Sequence, residues 1–251
     1  MGWAGLKQAF ASCLEGGSVL VKEGEYAYGP GDMERQVDEK GSEYFAALPL
    51  SCPLHLFGQG KAVFRPVNSP PFSDWGYTKP YCVLSTSPRG TLDGLSIEAP
   101  RGTNRGHFTH GVGIWGGGMR LQSCIISAPN ESRGVAVFVQ GPSSKPAVVG
   151  CQLSGGKDTV WWSCGALGRL VGCQISGATE IGLVVFGTST APISTAPIVA
   201  SNTFRDSGWG ISIGRDVDDA WAPGEGNTFE NIEEGDVEDE RGGEEEEAEA
   251  Y

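Results

Sequence analysis

The sequence contains a degenerate repeat that begins near Asp93 and continues almost to the acidic C-terminal segment. If the second residue of each copy is equivalent, the steps between successive copies are 27, 22, 29 and 25 residues. A second short apolar run follows within about a dozen residues of a copy, as in GVAVFV from Gly134 or GLVVFG from Gly182. An irregular period with two short strands per unit indicates a solenoid. The copies are SCIIS (123–127), GCQLSG (150–155), GCQISG (172–177), SNTF (201–204) and GNTF (226–229), and we call Cys124, Cys151, Cys173, Asn202 and Asn227 the corner residues.

Three segments resemble right-handed parallel β-helix proteins of the pectin-lyase-like type: GSVLVKEGEY (17–26), SNTFRDSGWGISI (201–213) and GNTFENI (226–232). The resemblance implies an all-β right-handed parallel β-helix of seven or eight turns over residues 17–232. Stacked asparagines at a corner share hydrogen bonds, as amide ladders do, and Asn202 and Asn227 fit this pattern while the three corner cysteines depart from it.

Within this fold, the chain is most similar to the β-helix region of F-box proteins and their Shc-binding relatives. That similarity implies protein recognition. No F-box is apparent, so ubiquitin ligation is not implied. The same scaffold also carries pectate lyases, polygalacturonases and alginate epimerases, and a fold does not choose among functions.

The first residues have the pattern of a short amphipathic helix. Trp3, Leu6, Phe10 and Leu14 recur at three- and four-residue spacing before Gly16. We expect residues 1–16 to form a helix that covers the open end of the solenoid, because that end otherwise exposes its core and its strand edges.

Most of the negative charge lies at the C-terminal end. Residues 230–251 contain twelve acidic residues and one basic residue, a net charge of −11, and the preceding 229 residues carry −2 of the total of −13. Such composition predicts a disordered tail over residues 233–251. The tail is either a solubilising extension or a chaperone-like lure for basic proteins. Without a basic stripe, we expect no nucleic-acid partner.

The seven cysteines predict buried free thiols. They form no CxxC pair and no zinc spacing with histidine. An odd set embedded in strands favours a reducing, intracellular compartment, cytoplasmic or nuclear. We expect no cofactor, no metal and no membrane association, since no apolar run approaches membrane-spanning length.

Three carboxylates form a candidate column. Glu131, Asp158 and Glu180 each follow a corner cysteine by seven residues, so superposed turns would stack them about 4.8 Å apart. Paired carboxylates suit glycoside hydrolysis, and three in line suit calcium. The alternative is an exposed turn whose repulsion Arg133 and Lys157 relieve, and we therefore assign no catalytic residue.

Two further groups are weaker candidates. Asp216, Asp218 and Asp219 form an acidic cluster, but the other polygalacturonase motifs are absent and a polar loop is the simpler interpretation. His107 and His110 are three residues apart, and His55 lies far earlier in the chain. Without a neighbouring acid, we interpret them as surface histidines.

An aromatic row is the strongest binding candidate. Alignment of the second strands places alternate valines, leucines and isoleucines inward and leaves Trp115, Phe138 and Phe186 at one outward position, with Trp161 or Trp162 nearby. A contiguous apolar strip on a surface commonly marks a binding site. A shift of one residue would instead put these rings in the core.

The sequence thus predicts a non-catalytic recognition or scaffold module that binds a partner protein along one β face, through Trp115, Phe138, Trp161 and Phe186. Two alternatives stay open. One is a polysaccharide lyase, hydrolase or epimerase that uses the column of Glu131, Asp158 and Glu180, and the other is a chaperone of basic proteins that acts through the acidic tail.

Overall fold

The computed structural model describes residues 2–13, 15–37, 43–67, 80–101, 108–130, 133–187 and 197–241. Its regular elements are almost all β-strands, with one α-helix and one short 3-10 helix at Pro30–Asp32. In chain order they are α1 (Trp3–Ala11), β1 (Ser18–Val21), β2 (Gly24–Tyr28), β3 (Glu34–Val37), β4 (Glu43–Leu50), β5 (His55–Pro66), β6 (Pro80–Ser85), β7 (Arg89–Glu98), β8 (Phe108–Gln122), β9 (Ile125–Ala128), β10 (Arg133–Ser144), β11 (Ala147–Val149), β12 (Gln152–Gly155), β13 (Asp158–Ser163), β14 (Arg169–Val171), β15 (Gln174–Ser176), β16 (Ile181–Phe186), β17 (Ile198–Ala200), β18 (Thr203–Ile213) and β19 (Thr228–Asp239).

The strands stack into three parallel sheets that the chain visits in turn. Sheet A contains β1, the first parts of β5 and β7, the end of β8, β11, β14 and β17. Sheet B contains β2, the later parts of β5 and β7, β9, β12, β15 and the first parts of β18 and β19. Sheet C contains β4, β6, the first part of β8, β10, β13, β16 and the later parts of β18 and β19.

This arrangement is a parallel β-helix, as predicted. Within the described ranges, sheets B and C each contain eight strands and sheet A contains seven. The exception to parallel pairing is β3, which forms an antiparallel pair with β4. Alternate Val, Leu and Ile side chains of all three sheets meet in one continuous buried core.

The corner residues stack where sheet A turns into sheet B. The residue before each of them has a positive φ: Ser123 (51°), Gly150 (60°), Gly172 (65°), Ser201 (57°) and Gly226 (77°). This left-handed conformation makes the sharp bend and explains why glycine or serine precedes every corner residue, since glycine adopts it without steric cost. The predicted superposition of the five corners is confirmed.

The corner side chains connect successive turns by hydrogen bonds. Asn202 Nδ2 donates to Leu170 O (3.0 Å) and to Asn227 Oδ1 (3.1 Å), and Asn202 Oδ1 accepts from the Cys173 backbone N–H (2.9 Å). The Cys173 thiol contacts the equivalent carbonyl one turn back, Val148 O, at 3.6 Å. Cysteine therefore reproduces the donor role of asparagine, while only asparagine also supplies a side-chain acceptor.

Helix α1 covers the N-terminal end of the core, as predicted. Trp3 and Leu6 are buried, and the Trp3 ring lies 5.2 Å from Tyr28 and 5.4 Å from Phe64. Phe10 packs against the same core. Leu14, the last residue of the predicted apolar stripe, lies outside the described residues.

The predicted boundary of the acidic tail is wrong. Residues 233–239 are the second half of β19, which pairs with β18 through Val237 opposite Ile211. The inward rings of Phe204 and Phe229 stack at 5.3 Å, so β-pairing and apolar contacts outweigh the local repulsion among acids. Residues 242–251 lie outside the described residues.

Candidate functional site

The four aromatic residues predicted to bind a partner lie together on the outer face of sheet C. The Phe138 and Trp161 rings stack with centroids 5.9 Å apart, and Phe186 meets Trp161 edge-on at 5.3 Å. All four, Trp115 included, are partly exposed. We call Trp115, Phe138, Trp161 and Phe186 the aromatic strip.

The outward orientation follows from the neighbours of each ring. Ile114, Trp162 and Val185 belong to the core and alternate with strip residues along their strands. Trp115 and Phe138 instead pack on a separate apolar cluster outside the core. The aromatic side chains therefore form a surface layer.

The strip is not the single column that the sequence alignment predicted. Phe138 lies opposite Trp161, but Trp115 lies opposite Gln140 and Phe186 opposite Ser163. Trp115 and Phe186 thus occupy positions two residues further along their strands, on the same side of the sheet. Because the shift is an even number of residues, the rings still face the same way.

Three buried rings extend the strip toward the N-terminal end of sheet C, and the sequence indicates only one of them, His110, as a candidate. Tyr44 lies 3.9 Å from Trp115, Tyr81 stacks on His110 at 4.4 Å, and His110 lies 5.0 Å from Phe138. Six successive strands, from β4 to β16, therefore each contribute a ring. Tyr44 and Tyr81 precede the regular repeat, so no aligned copy pointed to them.

Asp158 lies at the edge of the strip and is almost completely buried, with 4% of its surface exposed. Its Oδ2 accepts a hydrogen bond from Trp161 Nε1 (2.8 Å), and its Oδ1 has no hydrogen-bond partner. Burial raises the pKa of Asp158, against smaller effects of Trp161 and Lys157 that lower it. The Ile181 N–H also lowers this pKa from nearby, but its hydrogen bond goes to Lys157 O (3.4 Å), so Oδ1 has no partner within hydrogen-bond distance. Such an oxygen is energetically costly and suits a donor that arrives from outside.

The predicted carboxylate column is not formed by Asp158 and Glu180. Asp158 lies opposite Ile181, and the Glu180 N–H bonds to Lys157 O one turn back. The Glu180 carboxylate pairs with Lys157 Nζ at 2.6 Å. The turn after Cys173 is one residue longer than the turn after Cys151, which moves Glu180 out of register. Glu131 lies outside the described residues.

The other polar candidates do not converge on a site. Asp218 Oδ1 accepts the Ala220 N–H within its own loop, and Arg241 donates to Asp218 O. His110 is 2% exposed, so its interpretation as a surface histidine is wrong; it belongs to the ring cluster. His55 lies on sheet A, 3.0 Å from Thr91 Oγ1. His107 lies outside the described residues.

All seven cysteines are free, as predicted; Cys82 and the three corner cysteines are buried and the other three are partly exposed. Burial raises the pKa of the Cys82 thiol. Among the described residues, no group of three or more His, Cys, Asp or Glu side chains is arranged to hold a metal ion. In the same ranges, no helix has the length and apolar content to cross a membrane.

The fold and the surface together define a parallel β-helix with an aromatic outer face. No protein-family model matches the chain, and no curated protein matches it. Among solved structures, it is similar to the crystal structure of pectate lyase Pel9A, with a TM-score of 0.55 and 16% identity. The similarity covers 83% of this chain and 56% of that one. At this identity the comparison shows the parallel β-helix fold alone, and the similarity to F-box and Shc-binding proteins stays a prediction.

Proposed function

We propose that the chain is a non-catalytic recognition module that binds a partner protein on the outer face of sheet C. The continuous, partly exposed series of rings from Trp115 to Phe186 carries this proposal. Tryptophan and other aromatic side chains dominate the binding energy of protein interfaces, where they anchor in desolvated contacts. The aromatic strip offers such anchors on neighbouring strands of a rigid sheet.

The positions of the acids favour binding over catalysis. Glu180 forms an ion pair with Lys157, and Asp158 is buried against Trp161. Acid–base chemistry on a polysaccharide requires two carboxyl groups that flank one bond at a defined separation. Asp158 lies opposite Ile181 and not Glu180, so the two described acids of the predicted column do not face each other across the strand pair.

A peptide-display selection tests the proposal. A random peptide library would be selected on the wild-type chain, and the selected peptides would be assayed on Phe138→Ala/Phe186→Ala. The matched control is Ile125→Ala/Ile198→Ala, which removes two apolar side chains that are 48% and 61% exposed on sheets B and A. Circular dichroism would verify that both variants fold.

We expect selected peptides to bind the strip variant at least about tenfold more weakly, as loss of anchor residues does, and to bind the control variant normally. Equal binding to the wild type and the strip variant would remove the basis of the proposal. The same chain would also be assayed with polygalacturonate, because a row of aromatic rings can stack on sugar rings as well as bind a peptide. Its cleavage by the chain, lost in Asp158→Asn, would support the enzymatic alternative instead.

The tail alternative is tested with a chain truncated after Arg241. Recognition through sheet C predicts that the truncated chain binds the selected peptides as the full chain does. A chaperone of basic proteins would lose its binding to a basic protein such as histone upon the same truncation.

A further inference from the structure

We infer that the aromatic strip and Asp158 together form a receptor for an arginine side chain that a partner protein presents within an apolar segment. The inference rests on the proposed function and specifies the chemistry of the partner. The Asp158 carboxylate is central to this chemistry, because only one of its two oxygens accepts a hydrogen bond in the structure.

The geometry of Asp158 favours a hydrogen-bond donor at the end of a long, flexible side chain. Oδ2 is held by Trp161 Nε1 at 2.8 Å, which orients the carboxylate, while Oδ1 is buried without a partner. Since the residue is 4% exposed, a hydroxyl fixed on a sugar ring that stacks on Trp161 would stay at the surface. The end of an arginine or lysine side chain can reach a buried carboxylate while its methylene groups lie along apolar surface.

Two described cations near the aromatic strip are engaged by other groups. Lys157, the residue next to Asp158, pairs with Glu180 at 2.6 Å. The Arg133 guanidinium lies over the Phe108 ring at 5.5 Å, and Phe108 in turn lies 6.2 Å from Trp161. The rings around Trp161 thus already include one that contacts a guanidinium. No guanidinium bonds to the neighbouring Asp158 carboxylate among the described residues.

The rings favour arginine over lysine. A guanidinium is planar, more weakly hydrated than an ammonium, and stacks on aromatic faces while donating to a carboxylate. Phe138 and Trp161 present nearly parallel rings, 29° apart, beside Asp158.

The test uses two synthetic peptides that differ at one side chain, which is charged in one peptide and neutral in the other. One has a single arginine between leucines, and the other has citrulline, the neutral isostere of arginine, at the same position. Each peptide would be titrated into the full ¹⁵N-labelled chain while the Trp161 Nε1–H resonance is followed by NMR. This N–H donates a hydrogen bond to Asp158 Oδ2 and therefore reports on the carboxylate. The Trp3 and Trp221 indole resonances, from the two ends of the β-helix, report that the fold is intact.

We expect the arginine peptide to shift the Trp161 resonance and to bind about tenfold more tightly than the citrulline peptide, as hydrogen bonds to charged groups do. Asp158→Asn should remove this difference. Trp161→Phe, which keeps a ring but releases Oδ2, should reduce it. The comparison on the wild-type chain is decisive even if a variant does not fold.

Equal affinity for the two peptides would overturn the inference and leave the proposed function standing, because an apolar strip binds leucines without a cation. A Trp161 shift with polygalacturonate and with neither peptide would overturn it in favour of a carbohydrate ligand. If neither peptide moves any strip resonance, the inference is also wrong, whereas peptides selected on the strip would still support recognition through sheet C.

Discussion

Replacement of Asn202 by alanine should destabilise the β-helix far more than its small change in volume implies. Asn202 is 1% exposed and joins three turns: it accepts from the Cys173 N–H (2.9 Å) and donates to Leu170 O (3.0 Å) and Asn227 Oδ1 (3.1 Å). Alanine leaves a buried N–H unpaired, which costs about 1–3 kcal/mol, and loses two donated bonds of about 1 kcal/mol each. We expect a loss of about 3–5 kcal/mol in the free energy of unfolding.

Asn202→Cys separates the donor role from the acceptor role. A thiol at this corner can donate to Leu170 O as the Cys173 thiol does to Val148 O, but it leaves the Cys173 N–H without the Asn202 oxygen. We therefore expect Asn202→Cys to recover about 1 kcal/mol relative to Asn202→Ala. Gln152→Ala, an exposed substitution on sheet B, is the matched control and should change stability by less than about 0.5 kcal/mol.

Urea unfolding followed by circular dichroism measures these differences from the midpoint and slope. Because a stack of repeats can unfold in parts, hydrogen exchange of the Cys173 amide provides a second, local measurement. It should accelerate in both Asn202 variants and stay unchanged in Gln152→Ala. A loss below about 1 kcal/mol in Asn202→Ala, with slow exchange at Cys173, would refute the role of the corner ladder.

Asp158→Asn should change the pH dependence of stability. Burial raises the pKa of Asp158 in the folded chain above its ordinary value of 3.8, so the native state binds the proton more tightly than the unfolded state does. The wild type should therefore gain stability relative to the variant as pH falls from 7 toward 3.8. Thermal unfolding at several pH values measures this, and a difference that is constant with pH contradicts it. Cys173→Asn should be more stable than Cys173→Ala by about 1 kcal/mol in urea, because the added amide can extend the ladder by one turn; equal stabilities would show that the ladder cannot be extended. Arg241→Ala should accelerate amide exchange in β19 and not in β9, because Arg241 donates to Asp239 and to the carbonyls of Asp218 and Trp221; uniform exchange in both strands would argue against that role.

The corners could be predicted because a local requirement recurs in every turn. Each corner needs a residue in the left-handed backbone conformation followed by a small polar residue. This requirement produces a pair that can be recognised in the sequence, such as Gly172 and Cys173. The outward parity of Phe138 and Trp161 followed from strand alternation. Which residues lie opposite each other on neighbouring strands could not be predicted, because this depends on the number of residues in each turn between sheets.

Three features could not be predicted because each depends on more than the local sequence. Glu180 left the predicted column because one longer turn displaced it, although its distance from the corner is unchanged. The disorder predicted for residues 233–239 was wrong because pairing with β18 supplies contacts that local composition does not reveal. Tyr81 and Tyr44 were missed because the early turns have no repeat copies against which to align them.

Recognition through sheet C is tested most directly by the tryptophan indole resonances of the chain bound to a peptide selected on it. Binding on the aromatic strip predicts that the Trp115 and Trp161 Nε1–H resonances shift together, while those of Trp3 under α1 and Trp221 near the last turn do not. Shifts confined to Trp3 or Trp221, with Trp115 and Trp161 unmoved, would place the binding site at an end of the β-helix and contradict the proposal.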